Sequence, residues 1–160
     1  MLYYNQEEER EVMSMTIARQ INFDMDGTIA NLYGVEGWLD CLLNKDIKPY
    51  AIAKPLVNLS ALARVLNRLQ RQGYEICVIS WLAKVNDDDY NRKVTETKVR
   101  WLASHLPSVR WDKITIVLYG TPKSTYGDGI LFDDEENNRN EWVGNAYDVD
   151  NIINVLKSLN

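Results

Sequence analysis

The chain has 160 residues, of which 46% are apolar and 26% are charged, and its net charge at pH 7 is −5. This length suits one domain with a full hydrophobic core, and the composition excludes a low-complexity or disordered chain. The negative charge argues against broad electrostatic binding to nucleic acid or to an anionic membrane, because such binding draws its free energy from clustered Lys and Arg.

The cysteines and the apolar segments bear on the compartment. Cys41 and Cys77 lie far apart, and Cys77 belongs to the apolar run EICVIS, which is typical of a buried thiol. We therefore expect neither a disulfide framework nor a thiolate zinc site. No apolar stretch approaches the ~20 residues that span a bilayer, and MLYYNQEEEREVMSM lacks the pattern of a signal peptide. The default expectation is a cytoplasmic protein.

Strands and helices alternate in the predicted order of elements. Residues 1–15 are polar and acidic, and we expect them to form a frayed tail or a short helix outside the core. The apolar periodicity after this tail predicts strands at 17–24, 74–80, 113–119 and 129–134, and helices at 59–73, 91–107 and 149–160. This alternation predicts a parallel sheet with helices on both faces, since each parallel strand needs a crossover connection.

The segment 30–58 does not follow this alternation. It contains a short helical stretch, EGWLDCLLNK, and two prolines, Pro49 and Pro55. We interpret it as a small helical insertion above the carboxyl edge of the sheet, within a domain that spans 16–160.

Polar side chains follow three of the predicted strands. Asp24, Ser80 and Asp133 each stand at a carboxyl end, where open parallel sheets bind ligands. Asp26 lies close to Asp24, and Asp134 is adjacent to Asp133. Carboxylates crowded in this way repel one another unless a divalent cation neutralises them, and ligands that are all oxygen favour Mg²⁺. The sequence therefore predicts a magnesium site at this edge.

A lysine precedes the acidic pair at a distance that suits the same site. Lys123 lies ten residues before Asp133. An ammonium group there would offset the negative charge that remains after the metal has bound, and it would contact phosphoryl oxygens.

The order of these residues resembles the haloacid dehalogenase superfamily of phosphohydrolases. The D-x-D-G-T motif matches 24–28, the strand-ending Ser or Thr matches Ser80, the lysine matches Lys123, and the acidic pair matches 133–134. Within the superfamily, ETKVRWLASHLP and PKSTYGDGILFDDEENNR are most similar to the 5′(3′)-deoxyribonucleotidases. The resemblance covers about 17–147 and implies an α/β, Rossmann-like three-layer sandwich with a parallel sheet and a small helical cap.

The resemblance also implies catalytic and metal-binding roles. Asp24 would be the nucleophile that forms an aspartyl-phosphate, and Asp26 would be the general acid and then the general base. Lys123 would complete the catalytic set. Mg²⁺ would be held by the Asp24 carboxylate, the backbone carbonyl of Asp26 and the acidic pair, and the resemblance leaves open whether Asp133 or Asp134 contacts the metal directly.

The residues implied to bind the substrate lie on several predicted elements. Thr28 belongs to the first motif, and Ser80 with the amide of Trp81 would bind phosphoryl oxygens. Lys98 matches the lysine of a Lys-x-x-Trp helix and would reach the phosphate. Tyr33 follows the first motif in the run ANLYG, where its ring could stack on a nucleobase.

Several of these polar residues also have purely structural interpretations. Ser80 could simply end its strand with a hydrogen bond, and Lys98 could be a solvated helix lysine. We expect 87–89 to form a solvated loop, His105 to be structural, and Trp101 to pack its helix on the sheet. Surface charges are expected at Glu135, Glu136 and Arg139.

These observations lead to one hypothesis and two alternatives. The hypothesis is a Mg²⁺-dependent 5′-nucleotidase that releases phosphate from a small (deoxy)nucleoside monophosphate. The first alternative keeps the chemistry and moves the substrate to another phosphorylated metabolite or a nucleic-acid terminus, since Thr97 and the short insertion depart from the nucleotidase pattern. The second alternative is a non-catalytic binding module. The Asp26 carboxylate disfavours it, because a protein without turnover has no physical need for a second carboxylate at this position. We expect no membrane partner and no extended nucleic-acid partner, and a monomer and a homodimer both stay open.

Overall fold

The computed structural model describes residues 5–7 and 19–160. Most of the tail predicted at 1–15, and the first two residues of the strand predicted from Ile17, lie outside these described residues. In chain order the elements are β1 (Gln20–Phe23), β2 (Ala30–Asn31), α1 (Trp38–Leu43), α2 (Lys48–Ile52), β3 (Lys54–Pro55), α3 (Leu59–Arg71), β4 (Glu75–Trp81), α4 (Asp88–His105), β5 (Lys113–Val117), β6 (Ile130–Phe132), α5 (Glu136–Glu141), β7 (Asn145–Tyr147) and α6 (Ile152–Ser158).

Five strands form one sheet in the spatial order β5-β4-β1-β6-β7, and every neighbouring pair is parallel. The predicted α/β fold with a parallel sheet is therefore confirmed. The order reverses beside β1, because the chain first runs outward through β4 and β5 and then returns to β6. Ligands of open parallel sheets bind beyond the carboxyl ends of the strands at such a reversal.

The register of the central strands determines which residues reach this edge. Phe23 at the end of β1 pairs with Val78 of β4 and with Phe132 of β6. The residues that follow Phe23 and Phe132 are Asp24 and Asp133, so the two carboxylates leave adjacent strands at the same level.

The two faces of the sheet are covered unequally. One face carries the main core, where side chains of β1, β4 and β6 pack against α3, α4 and α6; its buried members include Ile21, Phe23, Val78, Phe132, Leu66, Trp101 and Leu156. The other face is covered by short elements, and a smaller cluster there joins Ile79, Leu131 and Trp142. β4 is a nearly continuous apolar run because the sheet buries apolar side chains on both of its faces.

Helix α3 follows its predicted pattern closely. The side chain of Asn58 accepts a hydrogen bond from the amide of Ala61 at 3.0 Å, which caps the first turn. Gly73 follows the last turn with φ +98°, a conformation that glycine adopts without strain. The predicted apolar face is buried through Leu62, Val65, Leu66 and Leu69.

Helix α4 begins earlier than predicted. Asp87 caps it by accepting a hydrogen bond from the amide of Tyr90 at 2.8 Å, and Asp88 and Asp89 form its acidic first turn. The prediction of a solvated loop at 87–89 is wrong, because aspartates at a helix start satisfy free amides and interact favourably with the helix dipole. The helix ends at His105, whose Nδ1 lies 2.9 Å from the Trp101 carbonyl, so its predicted structural role fits.

Outside the segment 30–58, two short elements were not predicted at all. Helix α5 contains no apolar residue, and β7 has only three residues. The final helix, predicted over 149–160, is a 3-10 turn at Val149–Asn151 followed by α6. No helix in the described part of the chain combines the length and apolarity that crossing a membrane requires.

The segment 30–58, which we interpret as an insertion, contains α1, α2 and the antiparallel pair of β2 and β3, which ties its two ends together. It is also fixed to α4. Trp101, buried in the main core as predicted, donates from Nε1 to the carbonyl of Ala53 at 2.8 Å, and Tyr90 Oη donates to the carbonyl of Asp46 at 3.2 Å. These contacts hold the insertion beside the carboxyl edge of the sheet.

Candidate active site

A tight turn follows β1 and folds the first motif back on itself. The amides of 28–30 all point at the carbonyl of Met25, with N···O distances of 3.0–3.2 Å. Gly27 has φ +79°, and a Cβ atom there would lie 2.5 Å from a carboxylate oxygen of Asp134 and 2.9 Å from the ring of Tyr33. Glycine is therefore required both for the turn and for the close approach of its neighbours.

Three carboxylates meet at the point where this turn faces β6. Oxygen atoms of Asp24, Asp133 and Asp134 lie within 4.8 Å of one another. The hydroxyl of Thr28 is within hydrogen-bond reach of two of them, 3.0 Å from Asp24 Oδ2 and 3.2 Å from Asp134 Oδ1. The structure thus brings together the three predicted carboxylate ligands, with Thr28 between two of them.

Lys123 lies between two of these carboxylates. Its Nζ donates to Asp24 Oδ1 and to Asp133 Oδ2, each at 2.7 Å, and its side chain is 1% exposed. Burial alone would lower the pKa of Lys123, but the two carboxylates outweigh it and hold that pKa above its usual value. The ammonium group is therefore charged and fixed beside Asp24.

Asp133 has further partners that the sequence did not reveal. The side-chain amide of Asn138 donates to Asp133 Oδ2 at 3.1 Å, and Arg139 donates to the Asp133 carbonyl at 3.0 Å. The expectation that Arg139 is a surface charge is wrong, since its side chain is only 21% exposed and supports this loop. Glu136 is exposed as expected, whereas Glu135 is half-buried and lines the cavity described below.

Lys98 forms a second buried cluster on the β4 side of Asp24. Its Nζ donates to Asp26 Oδ2 at 2.7 Å, to Ser80 Oγ at 2.7 Å and to the Trp81 carbonyl at 2.6 Å. The side chain is completely buried, and the ring of Tyr50 lies 5.1 Å from the ammonium. The interpretation of Lys98 as a solvated helix lysine is wrong. Its predicted contact with phosphate stays a prediction.

Three carboxyl groups of the site, those of Asp26, Asp133 and Asp134, have pKa values above the usual range of an aspartate. Burial raises the pKa of Asp26, although the neighbouring Lys98 partly offsets this effect. Burial and the Asp24 carboxylate together raise the pKa of Asp133 to about 6 and that of Asp134 to about 7. Repulsion by the Asp24 carboxylate is the second cause of the Asp133 and Asp134 shifts, after burial, so Lys123 does not fully offset the negative charge of the acidic cluster.

A cavity of about 280 Å³ opens above the acidic cluster, between the insertion and the edge of the sheet. Asp24 and Asp26 line it, and the insertion contributes the aromatic rings of Tyr33, Trp38 and Tyr50. Tyr33 is 45% exposed and packs edge-on against Trp38, with ring centroids 4.9 Å apart. The predicted base-stacking residue therefore lies on the wall of the cavity that contains the predicted nucleophile.

Trp81 connects the end of β4 to the loop before Lys123. Its Nε1 donates to the Thr121 carbonyl at 2.8 Å, and its ring centroid lies 4.9 Å from that of Tyr119 and 5.4 Å from the Lys123 ammonium. The indole therefore covers Lys123 on the cavity side. The predicted contact of the Trp81 amide with phosphoryl oxygens stays a prediction.

Comparisons with known proteins assign no family to this chain. No protein-family model matches the sequence, and no curated protein matches it. Among solved structures, the chain is similar to a D,D-heptose 1,7-bisphosphate phosphatase from Burkholderia thailandensis, with a TM-score of 0.47 and 11% identity over 88% of this chain and 99% of that chain. We base no functional argument on a likeness of this level.

Proposed function

We propose that this chain is a Mg²⁺-dependent phosphomonoesterase of the haloacid dehalogenase type, which transfers a phosphoryl group to Asp24 and acts on a small (deoxy)nucleoside monophosphate. One observation carries the proposal. The Asp24 carboxylate is held at 2.7 Å by a buried ammonium group, belongs to a cluster of three carboxylates, and lines a cavity that also contains Asp26.

The residues present fit a divalent metal ion. In the acidic cluster, one ammonium group faces three carboxylates, which leaves two negative charges when all are ionised. A doubly charged cation matches this excess, and donors that are all oxygen suit a hard ion such as Mg²⁺. Asp24, Asp133 and Asp134 would hold it together with the backbone carbonyl of Asp26. When bound, it would neutralise the cluster and draw charge from a phosphoryl oxygen.

The chain's own residues supply the covalent chemistry in two steps. A carboxylate oxygen of Asp24 forms a bond to phosphorus while the ester P–O bond breaks, and Asp26 gives its proton to the leaving oxygen. Asp26 then takes a proton from a water molecule that attacks phosphorus, which breaks the acyl-phosphate bond and restores Asp24. Lys123 stabilises the negative charge on the transferred group through both steps.

The substrate proposal is supported by the shape and lining of the cavity. Thr28, Ser80 and the amide of Trp81 are the proposed contacts of the phosphoryl oxygens. A volume of about 280 Å³ is at the small end of ligand sites, which favours a monomeric ester over a polymer end. Aromatic rings from the insertion suit a flat leaving group such as a nucleoside, and Tyr33 is the proposed stacking residue.

The test is a panel of phosphorylated metabolites assayed for phosphate release with and without Mg²⁺. We expect turnover that EDTA stops, that Mg²⁺ restores and that Ca²⁺ restores poorly, because the larger and looser coordination of Ca²⁺ misplaces the nucleophile. Highest kcat/KM on nucleoside monophosphates supports the substrate proposal, whereas highest kcat/KM on sugar phosphates overturns it and keeps the chemistry. Full activity in EDTA, or no hydrolysis of any monoester, contradicts the proposal as a whole.

A further inference from the structure

The hydrogen-bonding capacity of Lys98 is used up within the protein. A lysine ammonium group has three N–H donors. In this site they meet three acceptors at 2.6–2.7 Å, namely the Asp26 carboxylate, the Ser80 hydroxyl and the Trp81 carbonyl. A phosphoryl oxygen could bind Lys98 only by displacing one of these partners.

The surroundings of Lys98 also close it off from the cavity. Its side chain is 0% exposed, and the ring of Tyr50 packs against the ammonium group at 5.1 Å. Helix α4, which carries Lys98, is anchored to the insertion by the hydrogen bond from Trp101 to Ala53. The ammonium group is therefore a fixed donor that is held on all sides by protein.

Asp26 is the partner that remains accessible. Its side chain is 14% exposed and lines the cavity, and only its Oδ2 atom accepts a hydrogen bond from the described residues. Oδ1 accepts no hydrogen bond from the described residues, so it is free to contact a substrate bound in the cavity.

We propose that Lys98 is a positioning residue that orients the Asp26 carboxylate toward the leaving-group oxygen, and that it does not bind the transferred phosphoryl group. This inference rests on the proposed function for its catalytic consequence, and it differs from the phosphate contact that the family resemblance implies. Lys98 acts through Asp26, so its removal should affect only those substrates whose leaving group needs a proton.

The test compares Lys98→Met with Asp26→Asn in single turnovers of two substrates. p-Nitrophenyl phosphate has a leaving group that needs no proton. In a nucleoside monophosphate the leaving group is the nucleoside, which departs as an alkoxide unless its oxygen is protonated. We expect Lys98→Met to slow the first step at least about tenfold for the nucleotide and less than about threefold for the aryl ester. The loss on the nucleotide is part of the ~10²–10⁴-fold that a general acid contributes, because Asp26 itself is still present. Lys93→Met, on the exposed face of the same helix, is the matched control and should change neither rate.

A direct measurement of phosphate affinity separates the two roles of Lys98. Calorimetric titration of inorganic phosphate in the presence of Mg²⁺ should give dissociation constants for wild type and Lys98→Met that agree within about threefold, since the proposal removes no phosphate contact. Equal rate losses on both esters, together with phosphate affinity weakened more than about tenfold, would show that Lys98 binds phosphate and would overturn the proposal.

The double variant guards against misfolding, because Lys98→Met leaves the Asp26 carboxylate without its partner. Asp26→Asn combined with Lys98→Met removes both charges together. We expect the second substitution to cost less than about threefold on the nucleotide in the Asp26→Asn background, because the group that Lys98 orients is already gone. A full additional loss there would contradict the proposal, even if Lys98→Met alone does not fold.

A structural readout keeps this proposal separate from the proposed function. In crystal structures, Asp26 should leave its position in Lys98→Met while Asp24 and Ser80 keep theirs, whether or not the wild type hydrolyses any ester. If Asp26 moves and the wild type is inactive, the proposed function fails and the positioning role stands. An unmoved Asp26 overturns the positioning role.

Discussion

Two buried lysines lie on opposite sides of Asp24, and their surroundings differ in charge. On the β6 side, Lys123 faces three carboxylates and bridges two of them. On the β4 side, Lys98 meets one carboxylate, that of Asp26, and two neutral oxygens. The Lys123 cluster keeps an excess of negative charge that a cation would neutralise, whereas in the Lys98 cluster one ammonium group faces one carboxyl group. We therefore propose that the same side chain stabilises charge in one place and orients a carboxyl group in the other.

The largest expected effect comes from Asp24→Asn, which disables the Lys123 side and leaves the Lys98 side intact. The amide has nearly the same shape as the carboxylate but cannot serve as a nucleophile. Phosphate release should fall to background for every substrate, while circular dichroism and the Tm show a folded protein. Asp88→Asn, an exposed acid in the first turn of α4, is the control and should keep full activity. Turnover by Asp24→Asn at the wild-type rate would remove the covalent mechanism.

Lys123→Met tests whether the two lysines have different tasks. Loss of a group that stabilises transition-state charge typically costs about 10²–10³ in kcat. We expect a loss of this order on the aryl ester and on the nucleotide alike, because the charge on the transferred group is common to both. A loss of kcat confined to the nucleotide would mean that Lys123 acts in the way proposed for Lys98. That result would contradict the proposed difference between the two lysines.

The excess charge of the Lys123 side should also appear in the stability of the metal-free protein. Asp133 and Asp134 have raised pKa values of about 6 and about 7, so the folded state binds more protons than the unfolded chain, where an aspartate has a pKa of about 3.9. The free energy of unfolding then falls as the pH rises from the pKa of an unfolded aspartate through the raised pKa values of the folded state. We expect the Tm without metal to drop by at least about 3 °C between pH 5 and pH 8.

Two controls make the pH experiment specific to the acidic cluster. Mg²⁺ should reverse most of the fall at pH 8, because it replaces the protons as the partner of the carboxylates. Asp134→Asn should flatten the pH dependence, since it removes the group with the more strongly raised pKa. A Tm in metal-free buffer that rises from pH 5 to pH 8 would contradict the charge imbalance.

The smallest expected effect concerns Tyr33, which lies on the cavity wall. If its ring stacks on a base, a contact worth about 1–3 kcal/mol in single-strand binders, Tyr33→Ala should raise KM for a nucleoside monophosphate about fivefold or more. Hydrolysis of p-nitrophenyl phosphate should stay unchanged. Tyr126→Ala, with a similarly exposed ring outside the cavity, is the control. Parallel losses on both substrates would mean that Tyr33 supports the catalytic turn instead.

Much of the fold could be predicted because periodic burial leaves a clear trace in the sequence. The buried face of α3 and the apolar run of β4 were both recognised in this way. The start of α4 was missed because a run of aspartates suits a loop and a helix cap equally well until the neighbouring amides are known. Helix α5 was missed because ENNRNE has no apolar residue that could mark a buried face.

The candidate site was predictable where its residues follow strands and unpredictable where they act through distant contacts. Asp24 and Asp133 could be placed together from the strand-end rule alone. Asn138 was missed because it contacts Asp133 from the unpredicted helix. The partner of Lys98 could not be foreseen either, since Asp26 lies 72 residues away in the chain and only the packing of α4 brings the two together.

The central claim is that Asp24 carries the phosphoryl group during turnover. The direct measurement is to quench the enzyme with acid during steady-state hydrolysis of a phosphomonoester with Mg²⁺, to reduce acyl phosphates with borohydride, and to sequence the peptides by mass spectrometry. A phosphorylated aspartate is reduced to homoserine, so the account predicts homoserine at position 24 in the presence of substrate and none in its absence. Turnover with an unmodified Asp24, or with the label on another residue, would contradict it.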